Sequence, residues 1–350
     1  MDKINQVSPW LDHEELKALE VSISDKWVTE GPYTKQFIGK ILDLTGSNYA
    51  LPVPNGTLGL FIALLALNPV EGDEIIIPSF TFFGSASAAH FAGFKPVFCD
   101  VDPKSFMATL ENIKDKVTTR TKVVMPVNIY GKSQSIKPIV DYCAENNIYV
   151  LEDSAQAIGV FSGGIHSGTN SDLGVISFFA DKTITTGEGG VILIKEKEIY
   201  ERLKLLRNQG RPNSGTFIHP KFGMNFRITD MQSALGVVQL NKLNNIIKLK
   251  RELFDYYNRS IENKEFIIKP EIKKNQEDVP FRYYFQAKDL KNQLMKHLEE
   301  SNIQTRSFFY PMHLQPSVIA NYGKQDSCPV SEKLFDNGIC LPLHHDLTRL

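Results

Sequence analysis

Ser177-Phe178-Phe179-Ala180-Asp181-Lys182-Thr183-Ile184-Thr185-Thr186-Gly187-Glu188-Gly189-Gly190 is the stretch on which the reading of this 350-residue chain turns. An apolar strand at 175–179 ends there, a lysine follows at once, and a glycine-rich turn leads into a second strand at 191–194. A lysine at the carboxyl end of a buried strand lies where open α/β sheets place their ligands. An amine partly withdrawn from water loses proton affinity and becomes a nucleophile suited to Schiff-base chemistry. A surface lysine that lays its stem on the fold and keeps its charge in water has the same local pattern.

Working outward, short β-rich runs at 75–77, 97–101, 122–128 and 148–152 alternate with helix-like segments at 84–92, 108–117 and 136–145. Most of these runs are apolar without strict alternation, which suits strands covered on both faces by helices. The alternation of the two element types predicts an α/β fold with a mostly parallel sheet. Beyond Thr229 the texture changes: 230–262 is long, periodic and lysine-rich and predicts one or two helices, followed by a strand at 281–286 and a helix at 290–301. A large α/β domain over 1–239 and a smaller α+β domain over 240–350 are expected, with the long helix able to belong to both.

Composition narrows the function classes. Thirty-nine Lys+Arg against 40 Asp+Glu leave a formal charge of −1, which argues against a chain-wide basic face for nucleic acid or an anionic membrane. The longest apolar run, 58–67, is about half of what a bilayer needs. The opening MDKINQVSPWLDHEE has no apolar segment of the secretory type. Four scattered cysteines, with no C-x-x-C pair, form neither a disulfide framework nor a zinc site. A cytoplasmic protein with reduced thiols is expected.

Three further signals lie upstream. Tyr149-Val150-Leu151-Glu152-Asp153-Ser154-Ala155-Gln156 ends an apolar strand with two acids. A carboxylate there can pair with the protonated ring nitrogen of pyridoxal phosphate, and it can equally cap a following helix. His166 is the one nearby candidate for a metal ligand, too few for a site. Pro54-Asn55-Gly56-Thr57 opens the apolar run, and the free N–H groups of a helix start form a phosphate site. Neither G-x-G-x-x-G nor G-x-x-x-x-G-K-[ST] stands in this place. In Ile77-Pro78-Ser79-Phe80-Thr81-Phe82-Phe83, one aromatic could lie over a flat ring, although core packing is the default for any one of 22 phenylalanines.

In order along the chain, these segments resemble the DegT/StrS family of pyridoxal-phosphate sugar aminotransferases, of the aspartate-aminotransferase fold type I. The resemblance rests on E-D-x-A-Q (152–156), S-F-F-x-x-K-x-x-x-x-G-E-G-G (177–190) and G-x-N-x-R-x-T-D (223–230). Trp27-Val28-Thr29-Glu30-Gly31-Pro32, Gly93-Phe94-Lys95-Pro96-Val97-Phe98-Cys99-Asp100 and Arg306-Ser307-Phe308-Phe309-Tyr310-Pro311 extend it over most of the chain. The resemblance implies a mostly parallel mixed sheet between helices, plus a smaller C-terminal domain. It implies that Lys182 holds pyridoxal 5'-phosphate as a Schiff base and then shuttles a proton. Asp153 would pair with the ring nitrogen, Gln156 would contact the phenolic oxygen, and Phe82 would stack on the ring. Gly56, Thr57 and Ser177 would bind the phosphate. Asn225 would reach the phosphate of the neighbouring subunit's cofactor, which implies a homodimer with shared active sites.

Lys182 also excludes the branch of the family in which a histidine stands at this place and a sugar is dehydrated. The stretches Thr183-Ile184-Thr185-Thr186-Gly187-Glu188-Gly189-Gly190, Arg207-Asn208-Gln209-Gly210-Arg211 and Phe309-Tyr310-Pro311-Met312-His313 look most like the GDP-perosamine synthase branch. That branch transfers an amino group from L-glutamate to C4 of a GDP-linked 4-keto-6-deoxyhexose. By this resemblance the segment around His313 would line the acceptor pocket. Arg227, with Arg211 and Lys221, could supply cations for carboxylate or diphosphate. Two features depart from the family pattern: Asn128 stands where many relatives have histidine, and the chain stops at Leu350, where many continue. Two rival readings remain at this stage, a smaller phosphorylated ketone as acceptor and a non-catalytic regulatory protein on the same scaffold.

Overall fold

The apolar runs of the middle of the chain become the strands of one sheet in the computed structural model, which describes residues 3–349 apart from 214, 216, 263 and 271–276. The strands of the first two hundred residues are β1 (Tyr49–Val53), β2 (Glu74–Pro78), β3 (Lys95–Cys99), β4 (Thr121–Val124), β5 (Tyr149–Asp153), a short hairpin of β6 (Phe161–Ser162) and β7 (Ile165–His166), β8 (Leu173–Ser177) and β9 (Gly190–Ile194). Seven of them join in the order β1-β9-β8-β5-β4-β2-β3. All pairs from β8 to β3 are parallel, and β9 runs antiparallel to both its neighbours. Every position of β2, β8 and β9 is buried, as two-sided coverage requires.

Alternate side chains of β9 enter different cores. Val191 and Leu193 pack in a cluster with Phe37, Ile41, Val237 and Ile247, whereas Ile192 and Ile194 pack in another with Leu60, Leu64 and Leu203. The first cluster is built with helices α1 (His13–Ser24) and α2 (Pro32–Thr45) lying on a long helix further on. The second is roofed by α3 (Gly56–Ala66) and α4 (Phe83–Phe91). The period of two along a strand thus decides which helix layer each residue meets.

Next along the chain come α5 (Leu110–Lys114), α6 (Lys137–Glu145) and α7 (Lys197–Arg207), and then α8 (Asp230–Ser260), one unbroken helix of 31 residues that passes straight through position 239/240. Thr229 caps it reciprocally: Thr229 Oγ1 accepts from the Gln232 N–H, and Gln232 Oε1 accepts from the Thr229 N–H. Its early turns pack on α1 and α2, and Phe254 near its end joins the core of a four-stranded antiparallel sheet. That sheet has the order β10 (Ile267–Ile268), β11 (Tyr283–Ala287), β13 (Gly338–Leu341), β12 (Arg306–Ser307).

Several boundaries differ from the sequence reading. The strand read as 175–179 ends at Ser177, because Phe178 leaves the ladder to pack edge-on against Phe37 at 5.2 Å. The strand read as 122–128 ends at Val124, with a single further bridge from Val127 to Asp153, and the helix read over 108–117 contracts to Leu110–Lys114. β1 was not foreseen: Pro52 interrupts its strand signature, yet it sits on the sheet edge opposite Val191, where a missing N–H is tolerated.

His166 is a buried structural group. Its Nε2 accepts the Gly159 N–H at 2.9 Å, and burial holds its pKa down at about 4. A histidine depressed in the folded state keeps its stabilising effect above its unfolded value, near 6.5, and loses it as pH falls toward 4. Between those limits the chain is expected to lose on the order of 3 kcal/mol through this one group. A His166→Gln variant should lose correspondingly less over that range in thermal melts. No helix among the described residues is long and apolar enough to cross a membrane.

Candidate active site

The carboxyl ends of β5 and β8 and the start of α3 converge on one cavity of about 630 Å3. Past Ser177 the chain is held by Phe178, whose N–H donates to Gly189 O and whose carbonyl accepts from the Thr186 N–H. Between these anchors the segment turns, with the Lys182 N–H donating to Phe179 O at 2.9 Å, and the Lys182 side chain enters the cavity. Its Nζ lies 5.1 Å from the centre of the Phe281 ring and 3.9 Å from Asp181 Oδ1. Burial lowers the proton affinity of this amine; Asp181 and Asp153 act against that, and Arg282 and Arg306 act with it. The net result is an amine more readily neutral than an exposed lysine.

Asp153 ends β5 and is buried. Its Oδ2 accepts from Ser85 Oγ at 2.6 Å and its Oδ1 from the Ala155 N–H at 3.2 Å. Burial raises its pKa, opposed by those two hydrogen bonds and by Lys182. The chain turns after Asp153 and enters no helix, so the capping alternative does not apply. Gln156 Oε1 accepts the Tyr130 N–H at 2.8 Å, and Asn128 Oδ1 accepts from Ser154 Oγ at 2.7 Å. Asn128 is therefore part of the buried frame beside Asp153.

At the start of α3, Asn55 Oδ1 takes the Leu58 N–H at 2.9 Å. Among the described residues no group of the chain accepts from the N–H of Gly56 or Thr57. Backbones meet here at contact distance: a Cβ on Gly56 would lie 2.9 Å from Ser177 Cβ, and one on Gly190 would lie 2.8 Å from the Asn55 carbonyl carbon. Phe82, 60% exposed, lies across the cavity lining with Phe309 at 6.3 Å between ring centres.

The structure thus brings together seven of the residues singled out from sequence: Gly56, Thr57, Phe82, Asp153, Gln156, Ser177 and Lys182. Three others lie elsewhere. Asn225 bridges to Asn208 and lines a separate depression with His219 and Phe222. Arg227 Nη1 donates to Asn208 Oδ1 at 2.7 Å. His313 does not line the cavity: it is buried, with Nδ1 at 2.6 Å from Ser79 Oγ and Nε2 at 3.1 Å from Glu332 Oε1, so both ring nitrogens are engaged in bracing the loop. Sequence reasoning passed over Ser85, Asp181, Arg282, Arg306 and Phe309, all of which line the cavity.

The donor set fits pyridoxal phosphate. Unpaired N–H groups at a helix start suit a phosphate, a buried carboxylate suits a pyridinium N–H, and an exposed aromatic face suits a flat ring. A close-packed cradle of this kind has a testable weakness. In Gly190→Ala the new methyl group presses on the Asn55–Gly56 backbone, which cannot swing aside as a side chain can. Cofactor affinity is expected to fall at least about tenfold, for a displacement worth about 1.4 kcal/mol, as read by fluorescence titration.

The model of the DegT/DnrJ/EryC1/StrS aminotransferase family matches residues 9–349. The chain is 33% identical to GDP-perosamine synthase of Escherichia coli O157:H7 over 348 residues, covering 98% of this chain and 93% of that protein. It is likewise 33% identical to GDP-perosamine synthase of Vibrio cholerae over 343 residues, covering 95% and 92%. Among solved structures, the aminotransferase TlmJ from Streptoalloteichus hindustanus is 29% identical and superposes with a TM-score of 0.93, over 98% of this chain and 94% of that one. The chain belongs to the DegT/DnrJ/EryC1/StrS aminotransferase family and is a pyridoxal-phosphate-dependent aminotransferase.

Proposed function

We propose that this enzyme moves an amino group from L-glutamate to C4 of a nucleotide-linked 4-keto-6-deoxyhexose, the GDP-linked sugar first, to supply an amino sugar for surface polysaccharide. The observation that carries the chemistry is the convergence of Lys182, Asp153 and the start of α3 on one cavity. The sugar is supported by the two GDP-perosamine synthases at 33% identity over nearly the whole chain. A phosphorylated ketone of smaller size remains the competing acceptor. The cytoplasm is the proposed location, in keeping with four buried free thiols.

When bound, pyridoxal phosphate supplies an electron-accepting ring that stores the amino group between donor and acceptor. Lys182 Nζ is the proposed attachment point. Displaced from that attachment, it would be the base that takes the proton from the donor's α-carbon and, in the second half of the reaction, hands one to the acceptor's carbon. Its lowered proton affinity suits that work. Asp153, held by Ser85 and the Ala155 N–H, keeps an anion where the ring nitrogen must stay protonated. Gly56, Thr57 and Ser177 would hold the phosphate at the positive end of α3, and Phe82 would offer its face to the ring.

Asn225 and Arg227 are proposed to act across a homodimer. They lie outside their own cavity, beside exposed Phe217, Ile218, Phe222 and Met224, apolar surface of the kind a partner covers. The division at 239/240 is proposed as functional, with the large domain holding the cofactor and the small sheet closing over it.

The test is turnover by purified holoenzyme with L-glutamate and a panel of GDP- and dTDP-linked 4-keto-6-deoxyhexoses and dihydroxyacetone phosphate, followed by mass spectrometry of the products. An aminated GDP-sugar with stoichiometric 2-oxoglutarate is expected. Preference for the small ketone, or no turnover by a protein that still binds the cofactor, sinks the reading.

A further inference from the structure

Asp181, next in sequence to Lys182, has an unusual arrangement of partners. Its Oδ2 accepts from Arg282 Nη2 at 2.6 Å and from Arg306 Nη1 at 3.1 Å, two arginines brought in by the small sheet. Its Oδ1 is buried and has no hydrogen-bond partner among the described residues. A buried carboxylate oxygen without a donor is unfavourable, and a donor that reached it would relieve the penalty. The amine of Lys182 lies 3.9 Å away, about an ångström beyond hydrogen-bond length. Arg282 is nearly buried and stacks on the Phe281 ring at 4.7 Å, the same ring on which Lys182 Nζ rests at 5.1 Å. The carboxylate is therefore clamped by one oxygen while the other faces the lysine.

We propose that Asp181 is a positioning residue for transamination: its free Oδ1 is the acceptor that receives the amino group of Lys182 whenever that amine is not engaged elsewhere. The inference rests on the proposed role of Lys182 and adds to it the resting place of the released amine. A lysine displaced by a substrate amine must stay within reach of the reacting carbon, and a protonated amine adrift in a largely apolar cavity has no such anchor. The clamp supplies it. Arg282 and Arg306, both bonded to Oδ2, prevent Asp181 from turning that oxygen toward the lysine.

The charged groups around Lys182 fix the sign of the test. Asp181 faces it from its own segment and Asp153 from β5; Arg282 faces it from the residue before β11 and Arg306 from β12. Lys250 of α8, buried against the carbonyls of Phe281 and Leu343, lies behind Arg282. Removing the Asp181 charge leaves Lys182 beside Arg282 and Arg306, with Asp153 as the opposed acid that acts on it and Glu188 elsewhere in the cavity lining. In the full-length chain freed of cofactor, the rate of Lys182 acetylation by acetic anhydride, resolved by peptide mapping across a pH series, titrates this amine alone. In Asp181→Asn the midpoint should move to lower pH by about one unit, so that Lys182 labels about tenfold faster near neutral pH. An unmoved or raised midpoint overturns the proposal.

Because Asp181→Asn leaves a buried guanidinium unpaired, Arg282→Gln and the double variant Asp181→Asn/Arg282→Gln repeat the comparison without it. The double variant should titrate below Arg282→Gln, and equal midpoints of those two overturn the proposal. Borohydride reduction of the wild-type holoenzyme reads the other question separately. A cofactor-labelled peptide lacking Lys182 overturns the proposed function. Label on Lys182 with unmoved midpoints overturns only the role of Asp181.

Discussion

Lys182→Ala is expected to lower kcat by about ten-thousand-fold while leaving the fold and cofactor binding largely in place. A positioned general base alone is worth about a hundred- to ten-thousand-fold, and the loss of a covalent attachment point adds to it. The structure gives a reason for the fold to survive. Lys182 Nζ makes no hydrogen bond among the described residues and rests only on the Phe281 ring and near Asp181. The segment is held instead by backbone bonds at Phe178, Gly189 and Thr186. Truncation relieves the burial of an amine whose charged form is already disfavoured. Thermal melting should therefore shift little, and phosphate-dependent cofactor binding through α3 should persist. The visible band and borohydride trapping characteristic of a lysine adduct should disappear. A variant that turns over within about tenfold of the native rate would rule out Lys182 as the base.

The cavity was legible in the sequence to the extent that its groups are carried by local patterns. Asp153 and Lys182 each sit just past the end of an apolar run, and Asn55-Gly56-Thr57 opens a third such run. Strand ends and helix starts on one edge of a parallel sheet meet in space whatever their separation along the chain. Ser85, Arg282 and Arg306 were illegible for the complementary reason. Ser85 reaches Asp153 across 68 residues, and the two arginines reach Asp181 across 101 and 125. Each is a single polar residue in an otherwise ordinary segment, with no periodicity to mark its partner. His313 was read from its neighbourhood as part of an acceptor pocket; the pairing that engages its ring runs to Ser79 and Glu332, which local spacing does not reveal. β1 was missed because Pro52 breaks a strand pattern, and only the sheet order makes its edge position visible.

Asp153→Asn separates what the carboxylate does for the reaction from what it does for the fold. The substitution keeps the size of the side chain and an oxygen to accept from Ser85, but it cannot carry the negative charge that keeps a ring nitrogen protonated. Losing one preorganised electrostatic partner of this kind is expected to lower kcat by about a hundred- to a thousandfold. The stability effect should have the opposite sign in the cofactor-free chain. Burial raises the Asp153 pKa above its unfolded value, so the folded chain binds the proton more tightly than the unfolded one. Such a group stabilises below its unfolded pKa and loses that contribution as pH rises through the folded one. At neutral pH the buried acid is thus a burden on the cofactor-free chain, and Asp153→Asn should melt higher than wild type there, with the gap closing as the solution is acidified. With cofactor the order should reverse, because only the native carboxylate meets a cationic ring, and a ligand that binds the folded state more tightly raises its melting temperature further. Melting curves of both proteins, with and without cofactor at two pH values, read all these signs in one experiment. A cofactor-induced shift as large in the variant as in the wild type would mean that Asp153 does not face the ring nitrogen.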